Sequence, residues 1–129
     1  MRRVLATTDL STHGGHAVPH AYSMLEPGGA VHLVHVVEPG TAHERCLARL
    51  RELIPAEAER LGIHTDVDVI ENSDTAGGIC EAADRFEADL ICIGSHGHSG
   101  FLAGAIGSVA HAVIARSSRP VPAVRPPCT

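Results

Sequence analysis

The stretch LICIGSHGHSGFLAGAIGSV, residues 90–109, decides the fold. An apolar run breaks at Gly94 into a segment that carries Gly97, Gly100, Gly104 and Gly107 together with His96 and His98. Ser108 then opens a second stretch whose apolar residues recur at helical spacing as far as Arg116. A buried strand that runs through glycines into a helix is the βα turn of a parallel sheet. Glycines there admit positive φ and let a ligand approach the backbone with no Cβ in its way. The first N–H groups of the helix that follows lack partners, and its dipole favours an anion.

Working outward, Val4–Thr8, Ala30–Val37, Thr65–Ile70, Ala88–Ile93 and Pro120–Val124 read as strands. Thr65–Ile70 alternates more than the others and is expected near the sheet edge. Ala88–Ile93 is the most continuous and is expected at the centre. A first helix is expected from about His16, with Pro19 in its first turn, until EPGG (residues 26–29) stops it. Thr41–Leu61 carries an apolar stripe and is expected as a helix kinked at Pro55. Asn72–Gly78 reads as loop, Ile79–Phe86 and Ser108–Arg116 as helices. This β-α-β-α-β-α-β-α-β order predicts an α/β fold. It is a single-domain, open, doubly wound five-stranded parallel sheet flanked by helices, Rossmann-like, with one domain over residues 1–129.

Composition narrows the function. The chain is 44% hydrophobic but only 2% aromatic, so its core must be Val, Ile, Leu and Ala. A formal charge of −5 argues against a nucleic-acid partner, since binding a phosphate backbone takes clustered cations. Every basic residue is Arg, so Schiff-base chemistry and the P-loop lysine are excluded. Cys46, Cys80, Cys92 and Cys128 show no C-x-x-C spacing and read as small hydrophobes in a reducing compartment. No apolar run reaches the ~18–20 residues of a membrane span, and no signal segment opens the chain, so a cytoplasmic protein with no membrane partner is expected.

Gly94-Ser95-His96-Gly97, nine residues, then Gly107-Ser108 spell G-x-x-G-x9-G-[ST]. In this βα context the pattern resembles the ATP-binding signature of the universal stress protein family. The resemblance extends over VLATTDLS, VHLVHVVEP, ADLICIGSHG and GSVAHAVIARSSRPV. It implies an adenine nucleotide alpha hydrolase-like fold and ATP, or ADP or AMP, with Mg²⁺, as a regulatory ligand. By position, Asp9 would hold the ribose with Thr8 beside it, and Val36 would offer backbone groups to adenine. Ile93 and Gly94 would line base and ribose, while Gly97, Gly107, Ser108 and Val109 would take phosphates. His96 and His98, flanking Gly97, complete the set, with His98 available to phosphate charge.

The resemblance also implies a homodimer through the C-terminal strand, where Pro122 removes one N–H donor from the ladder. Thr75 is expected to cap the third helix in place of the family's Gly-x-Pro. His13, His16 and His20 fall at i, i+3, i+7, but Gly14, Gly15 and Pro19 interrupt that spacing, and no metal site is assigned. No Ser-His-Asp arrangement is present, so no catalytic residue is assigned and an enzyme is not expected. Two alternatives stay open: a member of the family that acts through dimer or partner contacts without nucleotide, and a weak ATPase.

Overall fold

The computed structural model describes residues 2–8, 17–94, 108–121 and 123–124. The apolar runs become strands β1 (Arg3–Thr7), β2 (Ala30–Val37), β3 (His64–Glu71), β4 (Leu90–Gly94) and β5 (Ala123–Val124). Between them lie helices α1 (Ala17–Ser23), α2 (Glu44–Glu52), α3 (Glu57–Arg60), α4 (Thr75–Phe86) and α5 (Ser108–Arg116). The strands pair in parallel in the order β3-β2-β1-β4-β5. The chain therefore winds outward from β1 to β3, returns, and continues from β4 to β5 on the other side. This is the doubly wound five-stranded sheet expected.

Because successive strand residues face opposite sides, the sheet separates two apolar layers. Val4, Ala6, Val31, Leu33, Leu90 and Cys92 pack with α1, α2 and α3 residues such as Val18, Ala21 and Leu50. Leu5, Val34, Ile91 and Ile93 pack with α4 and α5 residues such as Ile79, Ala83, Ala110 and Val113. With helices on both faces, strands need apolar residues at consecutive positions, which is the pattern the inner strands show. Tyr22 reaches from α1 to β3, where its hydroxyl meets that of Thr65 at 2.5 Å.

Several expectations are corrected. β1, not β4, takes the middle of the sheet. A continuous apolar strand reports that both its faces are covered, which holds for every inner strand. The expected kinked helix over Thr41–Leu61 is two helices, α2 and α3, parted around Pro55, whose ring cannot continue the hydrogen-bond ladder. Gly62, at φ 70°, closes α3, and the Ile63 N–H turns back to the Ala58 carbonyl at 2.9 Å. β5 covers only Ala123–Val124 of the expected Pro120–Val124, pairing with Ile93 and Gly94. Pro122 and Cys128 lie outside the described residues, as do His13 and His16.

The fourth correction concerns α4, which starts at Thr75, inside the expected loop. Asp74, not Thr75, is its N-cap: the Asp74 Oδ1 accepts the Gly77 N–H at 3.1 Å. The same carboxylate takes both Arg116 nitrogens at 3.0 Å each, tying the last turn of α5 to the start of α4. Arg119, just past α5, reaches the far end of α4, donating to the Ala88 carbonyl at 2.6 Å and to Asp84. The two arginines thus register α5 along α4 at both ends.

Two measurements check these assignments. Leu50 is fully buried, and Leu50→Ala should lower the unfolding free energy in urea by about 2–5 kcal/mol. Leu61, 43% exposed, should lose less than about 0.5 kcal/mol on the same change. The Arg116 pair and the Gly77 N–H hold the Asp74 carboxyl below the usual carboxylate range. Its contribution is therefore complete above the ordinary carboxylate pKa and disappears as pH falls through the depressed one. The gap in melting temperature between the parent and Asp74→Asn should be present at pH 7 and close in acid.

Candidate functional site

The order β3-β2-β1-β4-β5 reverses direction between β1 and β4, and crevices for ligands open at such a switch, beyond the carboxyl ends of the strands. The β1–β4 register ends at Thr7↔Ile93, so Thr8 and Gly94 leave the sheet side by side. On the other flank the β1–β2 register ends at Thr7↔Val34, and β2 continues past it to Val37.

Thr8 is buried and held by backbone on this rim. Its N–H donates to the Val34 carbonyl at 3.2 Å, and its own carbonyl lies 2.8 Å from His35 Nδ1. A carbonyl only accepts, so Nδ1 must carry the proton. Sequence reasoning gives the His35 side chain no role at this site. Its signal, a histidine where an apolar strand ends, is one histidine among ten in the chain.

Val36 lies near the carboxyl end of β2, beyond the last β1 pair. In β2, Ala30 donates to β1 and Val34 accepts from Thr8, whereas Gly29 and Val37 accept from the β3 side. The alternation turns the Val36 N–H and carbonyl toward β1, past the last residue β1 pairs with. Its side chain faces the opposite layer, under α4. A Cβ on Gly78 would stand 3.2 Å and 3.3 Å from the two Val36 methyls, so the missing side chain at Gly78 is what lets α4 settle on this strand.

Ile93 is buried among the α4 and α5 residues. Gly94 closes β4 and pairs with Val124. Ser108 is the first residue of α5, and Val109 behind it is 37% exposed, accessible at the start of that helix. The structure thus brings Thr8, Val36, Ile93 and Gly94 to one end of the sheet. Asp9, His96, Gly97, His98 and Gly107 lie outside the described residues.

Charges near this end are largely committed. Arg116 is paired with Asp74, and the Glu71 Oε1 accepts the Gly40 N–H at 2.7 Å. Among the described residues no group of three or more His, Cys, Asp or Glu is placed to hold a metal. The opposite end of the sheet has a shallow hollow of about 390 Å³ beside Arg2, Arg3, Gly28 and Asp89. There the Asp89 carboxylate accepts the Arg2 and Arg3 N–H groups at 3.1 Å and 3.0 Å, a tie for the entry into β1.

Below the crevice, Cys92 is fully buried on β4, and burial pushes its thiol up to about 11. Cys46 and Cys80 are half-buried at the margins of the two layers. Iodoacetamide at pH 8 should therefore modify the native protein at Cys46 and Cys80 well before Cys92, as read by peptide mass mapping. Cys92 reacting at the rate of the denatured chain would mean that β4 opens.

Comparison with known proteins agrees with this architecture. The hypothetical protein MJ0577 superposes with a TM-score of 0.85 at 22% identity, over 99% of this chain and 98% of that one. A universal stress protein from Archaeoglobus fulgidus gives 0.71 at 19% identity, over 97% and 94%. Both likenesses establish the fold. A universal stress protein in complex with cAMP gives 0.75 at 25% identity, over 96% of each chain. No curated protein matches significantly. The model of the universal stress protein family matches residues 1–125, nearly the full length over which the crevice and both layers are built. The chain belongs to the universal stress protein family.

Proposed function

We propose that this chain is an adenine-nucleotide-binding module, with ATP, ADP or AMP as a regulatory ligand in the crevice between β1 and β4. The observation that carries this reading is the meeting of Thr8, Val36 and Gly94 at the switch in strand order. The G-x-x-G-x9-G-S segment connects that same β4 to α5. A solved relative of the family carries cAMP, which supports an adenine nucleotide as the ligand class.

The Val36 N–H and carbonyl supply one donor and one acceptor, the pair an adenine edge takes. Asp9, one residue beyond Thr8, accepts from ribose hydroxyls through charge-assisted bonds. Ile93 and Gly94 line base and ribose. Gly97 and Gly107 open the approach for phosphates to the N–H groups at the start of α5, at Ser108 and Val109. His96 and His98, on either side of Gly97 in the sequence, are the remaining residues assigned to this site. With no lysine in the chain and Arg116 paired to Asp74, phosphate charge is met by backbone donors, the helix dipole and Mg²⁺. The commitments of Glu71 and Asp74 fit an ion that keeps its waters and rides on phosphate oxygens rather than in a protein cage.

On this reading the protein is a single domain that works in the cytoplasm, dimerises through the free edge of β5 and has no catalytic residue of its own. A second reading, action through dimer or partner contacts without nucleotide, draws on the loop HSGFLAGAI (residues 98–106), which holds no Arg or Lys.

Isothermal titration with ATP, ADP and AMP, with and without Mg²⁺, separates the two. Binding is expected, stronger with Mg²⁺ for the triphosphate. Gly107→Val should abolish it with the fold intact. Asp9→Ala should weaken it by roughly tenfold to a hundredfold, the worth of hydrogen bonds to a charged acceptor. No heat from any nucleotide at millimolar concentration would leave the second reading in place. Phosphate release at a rate abolished by Asp9→Ala would support a weak ATPase.

A further inference from the structure

We infer that His35 is a positioning residue of the crevice: its Nδ1–H, donated to the Thr8 carbonyl, adds a side-chain rung beyond the β1–β2 register and holds Thr8 against β2. Even-numbered residues of β2 turn their backbone groups to β1, and the rungs run as far as Thr8 N–H to Val34 carbonyl at 3.2 Å. In a continuing parallel ladder the next rung would run from the Val36 N–H to the Thr8 carbonyl. The register stops instead at Thr7↔Val34, and the His35 imidazole lies 2.8 Å from that oxygen.

The consequence for the site is that Thr8 is held at both of its backbone groups, the N–H by the Val34 carbonyl and the carbonyl by His35, so the residue that follows β1 is fixed against β2. The side chains of His35 and Val36 point to opposite faces of the sheet, so the histidine performs this role without entering the space beneath α4.

The effect on nucleotide binding rests on the proposed function, whereas the hydrogen bond itself is tested without any ligand. Long-range ¹H–¹⁵N spectra of the ligand-free protein should show the neutral His35 ring protonated at Nδ1 and bare at Nε2. The Nε2–H tautomer would overturn the inference. In titrations with ATP and Mg²⁺, His35→Leu should bind about tenfold more weakly, the scale of one lost hydrogen bond. His35→Asn, whose amide nitrogen falls where Nδ1 was, should return to within about threefold of the parent.

Melting curves show whether each variant is folded. Two folded variants equally weak would make His35 merely structural, and two that both bind like the parent would remove its role; either result overturns the inference. A parent protein with the expected tautomer and no nucleotide binding contradicts the nucleotide reading instead, and supports the pinning of Thr8 on its own evidence.

Discussion

The parallel pairing of β1 with β4, Val4↔Leu90 through Thr7↔Ile93, is the constraint on which everything else rests. A sheet that simply wound outward from β1 would have no place where two neighbouring strands send their connections to opposite faces. Here β1 leads to α1 on one face, while β4 leads to α5 on the other. The connections after Thr8 and Gly94 thus serve helices on opposite faces, the arrangement at which open α/β sheets take their ligands. The apolar layers serve this pairing. Leu5, Ile91 and Ile93 lock β1 to β4 from the side of α4 and α5, and Val4, Ala6 and Cys92 from the other.

A second constraint is electrostatic. The chain carries a net charge of −5, and the arginines nearest the crevice-side helices are already matched to carboxylates. Arg116 and Arg119 bind the two ends of α4, which sets the position of α5 and therefore of its first turn. The cations thus act on the site through architecture. On the proposed reading, what faces the nucleotide is backbone: the start of α5 and the upper end of β2. Backbone donors discriminate by shape and direction more than by charge, which suits the regulatory ligand proposed.

Much of this was legible in the sequence because period and punctuation agreed. Ala30–Val37 and Ser108–Arg116 are the same spans in sequence and structure, each bounded by glycine or proline and filled with residues suited to its element. The alternation of Thr65–Ile70 marked β3 as an edge strand. Legibility failed where a tertiary contact reversed local preference. Gly77 and Gly78 read as loop, yet Asp74 caps a helix that contains them, and the fit of Gly78 on Val36 rewards the absence of a side chain. His35 was illegible for a related reason: its partner is a main-chain oxygen 27 residues away, and no periodicity reports such a contact. At the candidate site, Thr8, Val36, Ile93 and Gly94 were named in advance and converge. Asp9, His96, Gly97, His98 and Gly107 fall outside the described residues.

The most direct test of the central claim is a backbone amide NMR titration of the parent protein with ATP and Mg²⁺. The account predicts that shifts concentrate at Thr8, Val36, Gly94, Ser108 and Val109. Amides around the far hollow, at Arg2, Gly28 and Asp89, should stay in place. Shifts centred on that hollow, or none anywhere at saturating nucleotide, would contradict it.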